Sequence, residues 1–332
     1  MSKPHIVIIS PALANANNGN GQTAARWSRF LRKDYKITLA LQWHGLPCDA
    51  LIALHARRSA PSITAFSAAH PALPLIVVLT GTDLYKDLSS NRDAQRSVQL
   101  ASQLVVLQAA GLHELNKNLR DKTCVIYQSA RALKPVNQHP VRPHRFFDVT
   151  MIGHLRDEKD PATFMRVAEL LKSPQIRLIH IGSALDPALG KLAQHTQQHA
   201  AQYHTLGNLS HAATRQRLKR SHLMVITSKM EGGANVIIEA ITSGVPVLAS
   251  DISGNRGMLG ESYAGYFPVG DSLKLAELIE RTASDAKFYR RLQAQCAARA
   301  PLFLPERERT ALLKLLKVAL KKNRDTHEQA RQ

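Results

Sequence analysis

The chain is short of several things, and each shortage excludes a class of protein. It holds three cysteines, Cys48, Cys124 and Cys296, in 332 residues. They are odd in number, far apart and outside any Cys-x-x-Cys spacing, so neither a disulfide framework nor a zinc ribbon is indicated. The longest apolar runs, such as Leu75–Leu79 and Leu104–Leu107, are far too short to span a bilayer. Residues 1–10 lack the apolar core and small-residue cleavage site of a signal peptide. A reduced, cytoplasmic protein with no integral membrane segment is the expectation. Aromatic residues are only 5% of the chain, too few for a platform that stacks single-stranded nucleic acid. No helix-turn-helix, RRM or zinc motif is present, so no nucleic-acid partner is expected. Acidic residues number 25 against 44 basic ones, a net charge of +19. That balance suits anionic partners, although basic residues spread over solvated helix faces would give the same count. No Asp-x-Asp occurs, so no metal-chelating acidic pair is signalled and no metal or cofactor is expected.

What the chain does have is a repeated alternation. At about 150 residues per domain, its length allows two domains, each with its own core. Short apolar runs predict strands at His5–Ser10, Ile37–Leu41, Ala50–Leu54, Leu75–Thr80, Leu104–Leu107 and Val125–Gln128. Amphipathic stretches at Gln22–Arg32, Ser59–His70 and Asn91–Ser102 predict helices between them. This order implies a parallel sheet with helices on both faces. Three prolines interrupt the pattern over Lys134–Arg145, as in a linker. Strands then resume at Asp148–Gly153, Ile176–Gly182, His222–Ser228 and Pro246–Ser250. Helices are predicted at Pro161–Lys172, Pro187–Ala200, Ala212–Arg220 and Asn235–Ser243, and the chain from Ser272 onward reads as helical. Within Glu306–Lys322, Leu312, Leu316 and Ala319 or Leu320 form one stripe and Lys314, Lys317 and Lys321 another. The expected fold class is α/β: two Rossmann-like, doubly wound domains over 1–135 and 148–300, a linker over 136–147 and a C-terminal helix and basic tail over 301–332. Open sheets of this kind bind ligands at the carboxyl ends of their strands.

Two segments at such ends carry candidate chemistry. The first is Ser228-Lys-Met230-Glu231-Gly232-Gly233-Ala234-Asn235-Val-Ile-Ile-Glu239, which follows a buried-strand pattern and opens a helix. Gly232 and Gly233 let the backbone approach a ligand, the helix N-terminus offers N–H groups to a phosphate, and Glu239 could accept hydrogen bonds from a ribose diol. A plainer reading is a glycine turn with Asn235 as N-cap and Glu239 on a solvated face. The second is Gly153-His154-Leu155-Arg156-Asp157-Glu158-Lys159, where His154, Arg156 and Lys159 could neutralise a diphosphate leaving group. Its plainer reading is an exposed, self-neutralising turn. His195 and His199 stand four residues apart and read as a solvated helix face rather than a metal site.

The ordered set of Gly153–Lys159, Ile181-Gly182-Ser183, Leu206-Gly207-Asn208-Leu209-Ser210, Glu231…Glu239 and Gly244-Val-Pro246 resembles the nucleotide-binding domain of glycosyltransferase family 4, which has the GT-B architecture of two Rossmann-like domains facing a cleft. The resemblance covers Asp148 to Phe267. It implies that Lys159 contacts the donor diphosphate, Glu239 the ribose and Glu231 the sugar. His154 stands where that family usually has Arg. With Ser10–Ala24, Ala50–Ser59, Leu79–Tyr85 and Val125–Ala130 included, the chain from Pro4 to about Glu261 resembles the selenosugar synthase family of selenoneine biosynthesis. That implies sugar transfer from a UDP-sugar, UDP-N-acetylglucosamine or UDP-glucose, to the selenium of selenophosphate, with functional links to a selenophosphate synthetase and a selenoneine synthase.

Under these resemblances Glu231, Lys159 and His154 are the catalytic candidates. Gly153, Arg156, Gly182, Ser183, Leu206, Gly207, Met230, Gly232, Gly233, Ala234, Asn235 and Glu239 would bind the donor in the second domain. The first domain would bind the acceptor. There Asn17, Asn18, Gly19, Asn20, Gln22 and Thr23 would supply amides at a helix start. His55, Arg57 and Arg58 would meet the acceptor's phosphate, and Thr80, Gly81, Thr82 and Asp83, with Gln128 and Ser129, would shape the pocket. The plainer readings are an asparagine-rich turn, a solvated Arg pair and an Asp83 that caps the next helix. A lipid-linked or polysaccharide hydroxyl is the alternative acceptor, with the basic amphipathic C-terminal helix lying on lipid. A nucleic-acid binder and a UDP-sugar epimerase are the remaining alternatives.

Overall fold

The structure is a computed structural model, and it describes residues 2–12, 19–134 and 146–329, with side chains to Lys321. The chain forms two units, Met1–Ser129 with Leu304–Gln332, and Ala130–Phe303. Residues 135–145, most of the expected linker, lie outside the described residues.

The first unit runs β1 (His5–Ile9), α1 (Gly19–Leu31), β2 (Lys36–Ala40), β3 (Ala50–Leu54), α2 (Ala60–Ala69), β4 (Leu75–Leu79), α3 (Leu88–Ser90), α4 (Arg92–Leu100), β5 (Gln103–Val106), α5 (Lys117–Arg120) and β6 (Thr123–Val125). All strands pair in parallel, in the order β2-β1-β3-β4-β5-β6. The direction of winding reverses between β1 and β3, which places a ligand crevice beyond their carboxyl ends. β3 and β4 are buried at every position, as strands covered on both faces must be.

The second unit runs β7 (Phe147–Ile152), α6 (Pro161–Leu170), β8 (Ile176–Ile181), α7 (Pro187–His199), β9 (Tyr203–Thr205), α8 (His211–Leu218), β10 (Leu223–Ile226), α9 (Asn235–Ile241), β11 (Val247–Ser250), α10 (Ser253–Leu259), β12 (Tyr266–Phe267), α11 (Ser272–Ser284) and α12 (Ala286–Arg299). Its parallel sheet has the order β12-β11-β10-β7-β8-β9, so the switch falls between β7 and β10.

A last helix, α13 (Pro305–Gln329), belongs to the first unit. Its apolar stripe, Leu312, Leu315, Leu316 and Ala319, lies in one core cluster with Trp27 and Leu31 of α1 and Ile6 and Ile8 of β1. Lys314, Lys317 and Lys321 are exposed. Over Leu312–Ala319 the apolar stripe is therefore accounted for by core packing. No helix among the described residues is long and apolar enough to cross a membrane.

Candidate functional site

The two segments singled out in the second half follow β7 and β10, the strands that flank the switch. After β7 the chain makes a one-turn helix at Asp157–Lys159 and leaves it through Asp160, whose φ of 43° is left-handed. The Thr227 hydroxyl donates to the Lys159 carbonyl at 2.8 Å, and the Lys229 N–H donates to the Glu158 carbonyl at 2.9 Å. These ties bring Lys159 Nζ to 2.5 Å from Glu231 Oε1, which also accepts from the Ser228 hydroxyl at 2.6 Å. The Lys159 and Glu231 side chains are 18% and 10% exposed. Charges this shielded from water interact more strongly than a surface pair, and removing either strands the other. The self-neutralising reading survives only for Arg156 and Glu158, loosely paired at 3.9 Å; Asp157 instead meets Lys229 Nζ at 2.5 Å.

The loops after β7, β8 and β9 are laced together. Gly153 N–H donates to the Ile181 carbonyl at 2.9 Å, Gly182 N–H to the Gly207 carbonyl at 2.8 Å, and Leu206 N–H to the His180 carbonyl at 2.9 Å. A Cβ at Gly182 would collide with the Gly153 carbonyl oxygen and stand 2.9 Å from His154 N, so only glycine allows this approach. His154 Nδ1 accepts from the Ser183 N–H at 3.0 Å, which puts the proton of the neutral ring on Nε2. The Ser183 N–H is thus engaged by His154, where a ligand contact was expected. The Leu206 side chain is exposed.

Glu239, one turn into α9, is buried, and its Oε1 lies 2.7 Å from His211 Nε2. It does not lie on a solvated face. Beside it, burial lowers the Arg215 guanidinium and Glu239 opposes that shift. The plainer reading's cap does not form: Asn235 is the first residue of α9, Ala234 occupies the N-cap position, and no side chain caps it. Met230, Gly232 and Gly233 lie in the loop between β10 and α9. Sequence reasoning missed His211 and Gly254, where an added Cβ would collide with the Glu231 carbonyl oxygen.

The candidate acceptor residues of the first unit fall into two clusters. In one, Gly19, Asn20, Gln22 and Thr23 form the start of α1; Thr23 donates to the Gly19 carbonyl at 2.8 Å and accepts from Gln128 Nε2. Gln128 Oε1 is buried without a partner. Ser129 donates instead to Glu308 of α13, at 2.5 Å. In the other, His55 follows β3 with a left-handed φ of 73° and places Nε2 at 3.0 Å from Thr82 Oγ1. Asp83 is fully buried and accepts from the N–H groups of Ala56, Thr80 and Gly81 at 2.8–2.9 Å. It therefore braces the ends of β3 and β4 instead of capping the next helix, as the plainer reading had it. Burial lowers the pKa of His55, with Asp83 opposing. Arg57 pairs with Asp87 at 3.2 Å, and Arg57 and Arg58 are exposed. Asn17 and Asn18 lie outside the described residues. His195 and His199 stack at 4.1 Å on an exposed face of α7. Among the described residues no group of three or more His, Cys, Asp or Glu side chains is placed to hold a metal ion.

Residues 137–299 match the family model described as "Glycosyl transferases group 1". A curated relative, glycosyltransferase 1 domain-containing protein 1 of Xenopus tropicalis, is 27% identical over 147 residues, which cover 43% of this chain and 41% of that protein. The chain thus spans about two-fifths of the curated relative it matches. Among solved structures, Anabaena HepE in complex with UDP-glucose aligns with a TM-score of 0.75 at 16% identity, over 95% of this chain and 100% of that one. Sucrose-phosphate synthase from Thermosynechococcus elongatus aligns with a TM-score of 0.76 at 15% identity, over 96% and 100%. Residues 137–299 are therefore similar to the glycosyl transferases group 1 family, and the chain has the α/β architecture of the GT-B fold.

Proposed function

We propose that the chain is a glycosyltransferase that moves a sugar from a UDP-sugar, UDP-N-acetylglucosamine or UDP-glucose, to the selenium of selenophosphate. The observation that carries the donor half is the shielded Lys159–Glu231–Ser228 cluster beside the switch of the second unit. Lys159 supplies a cation for the diphosphate, and Glu231, once a ligand takes over that cation, can accept from sugar hydroxyls. Arg156 and the proton on His154 Nε2 add donors, so leaving-group charge is met by protein groups and no metal is invoked. The solved complex of Anabaena HepE with UDP-glucose supports a UDP-linked donor. The acceptor half rests on the sequence resemblance and on Arg57 and Arg58 exposed beyond β3.

In the reaction, selenium attacks C1 as the bond from C1 to the diphosphate oxygen breaks and its electron pair leaves with UDP. Selenophosphate is already an anionic, polarisable nucleophile, so no general base is needed to activate it. Water then cleaves the selenium–phosphorus bond, releasing phosphate and a 1-selenosugar. We place this chemistry in the cytoplasm, downstream of a selenophosphate synthetase and upstream of a selenoneine synthase. Mass spectrometry of the protein with each UDP-sugar and fresh selenophosphate tests it. A product with the selenium isotope pattern and matching UDP release is expected. UDP release that requires a lipid or polysaccharide hydroxyl would overturn the acceptor.

A further inference from the structure

His180 sits at a core position of β8 and is fully buried. An imidazole costs free energy where an apolar side chain would pack without polar atoms to satisfy, so its two nitrogens need partners. Both have one. Nε2 lies 3.1 Å from the carbonyl oxygen of Gly153, and Nδ1 lies 2.9 Å from the Tyr203 hydroxyl of β9. A carbonyl oxygen only accepts, so Nε2 carries the proton, Nδ1 accepts, and Tyr203 donates. Phe164 of α6 packs edge-on against both rings, with centroids 6.3 Å away.

The residue held by this relay is the one beneath Lys159. The Cγ and Cδ atoms of Lys159 lie 3.6 Å from the point where a Cβ of Gly153 would stand, so the lysine stem runs across a glycine floor. Pinning the Gly153 carbonyl also fixes the trans peptide to His154, whose N–H points the opposite way. Gly182 leaves room for that peptide. The contacts thus run from Tyr203 through His180 and Gly153 to Lys159, and end on Glu231.

We propose that His180 is a positioning residue of the donor site, a neutral Nε2–H imidazole that orients the Gly153–His154 peptide and thereby Lys159. This rests on the donor-site reading above. Three variants separate the positioning role from a merely structural one. His180→Leu removes the donor, His180→Gln keeps an amide N–H of similar reach, and Tyr203→Phe removes the group that holds Nδ1. UDP binding is measured by calorimetry, with each variant also made in a Lys159→Met background. His180→Leu is expected to weaken UDP binding about tenfold, the scale of one mispositioned hydrogen bond. His180→Gln should recover to within about twofold of wild type, and the loss should vanish on the Lys159→Met background, because coupled residues are non-additive. Selective ¹⁵N-histidine labelling should show His180 as the Nε2–H tautomer in the wild-type protein and also in Tyr203→Phe, where the Gly153 carbonyl still requires a donor. A folded His180→Leu that binds UDP like wild type, an equal loss in both backgrounds, or an Nδ1–H tautomer would each overturn the proposal. If His180→Leu does not fold, His180→Gln, Tyr203→Phe and the tautomer measurement decide it. Wild-type protein that binds no UDP would instead remove the donor-site reading, whatever the tautomer.

Discussion

Glu308 gives the sharpest test of how the first unit is held together. It lies on α13, 1% exposed, and its carboxylate accepts from Trp27 Nε1 at 2.7 Å, Arg26 Nε at 2.8 Å and the Ser129 hydroxyl at 2.5 Å. Glu308→Ala would leave an indole N–H, a hydroxyl and a largely buried cation without their acceptor. Breaking a buried charge pair from one side costs roughly 3–5 kcal/mol. With a urea m-value of about 2 kcal/mol per molar, that lowers the unfolding midpoint by about 2 M. The assay is clean because the chain's two tryptophans, Trp27 and Trp43, both lie in the first unit. Tryptophan fluorescence therefore follows that unit alone. Lys317→Ala, on the exposed face of the same helix, should stay within about 0.5 kcal/mol of wild type. A midpoint shift for Glu308→Ala of under about 0.5 M would refute the reasoning, since it would mean that the orphaned groups find water or other partners.

Glu231→Gln should abolish turnover while leaving UDP binding largely intact; lost UDP affinity with normal turnover at saturating donor would reverse that assignment. Arg57→Ala should raise the acceptor KM far more than the donor KM, and equal rises would take Arg57 out of acceptor binding. On the proposed reading, in which Lys159 and Arg156 meet the leaving group, chelation by EDTA should leave the transfer rate unchanged; activity restored only by added magnesium would contradict this. Burial pushes His180 down to about 4 from 6.5. Between those values the unfolded chain binds the extra proton and the folded chain does not. Stability should therefore fall as pH drops through that window, by at most about 1.4 kcal/mol per pH unit for this group. Thermal melts followed by circular dichroism should show a shallower pH slope in His180→Gln, and an unchanged slope would contradict the burial argument.

Most of the sheet architecture was legible in the sequence because parallel strands buried on both faces read as unbroken apolar runs, such as Leu75–Leu79. The strands β9 and β12, with three and two residues, are too short to leave a pattern. Helix α10 was missed because Ser253–Leu259 carries two glycines and no apolar period. β6 ends at Val125, earlier than expected, and beyond it Gln128 and Ser129 bond to the Thr23 and Glu308 side chains rather than extending the ladder. Lys159 and Glu231 could be picked out because each follows a buried run beside a glycine. His180, His211 and Glu308 could not. Each is a polar residue whose meaning lies in a partner brought close only by folding: Gly153 and Tyr203, Glu239, and Trp27 of a helix 281 residues away. Local pattern alone makes His180 a strand residue, and Glu308 a surface charge in the first turn of a helix.

On the proposed reading, the segments after β7 and β10 form a site for a UDP-linked donor. Calorimetric titration of UDP into wild-type protein and Lys159→Met tests it most directly. One UDP per chain is expected for wild type, with binding weaker by about 10- to 100-fold in Lys159→Met, the scale of a lost charge-assisted hydrogen bond. Equal affinity in the two proteins, or no binding to wild type, would contradict it.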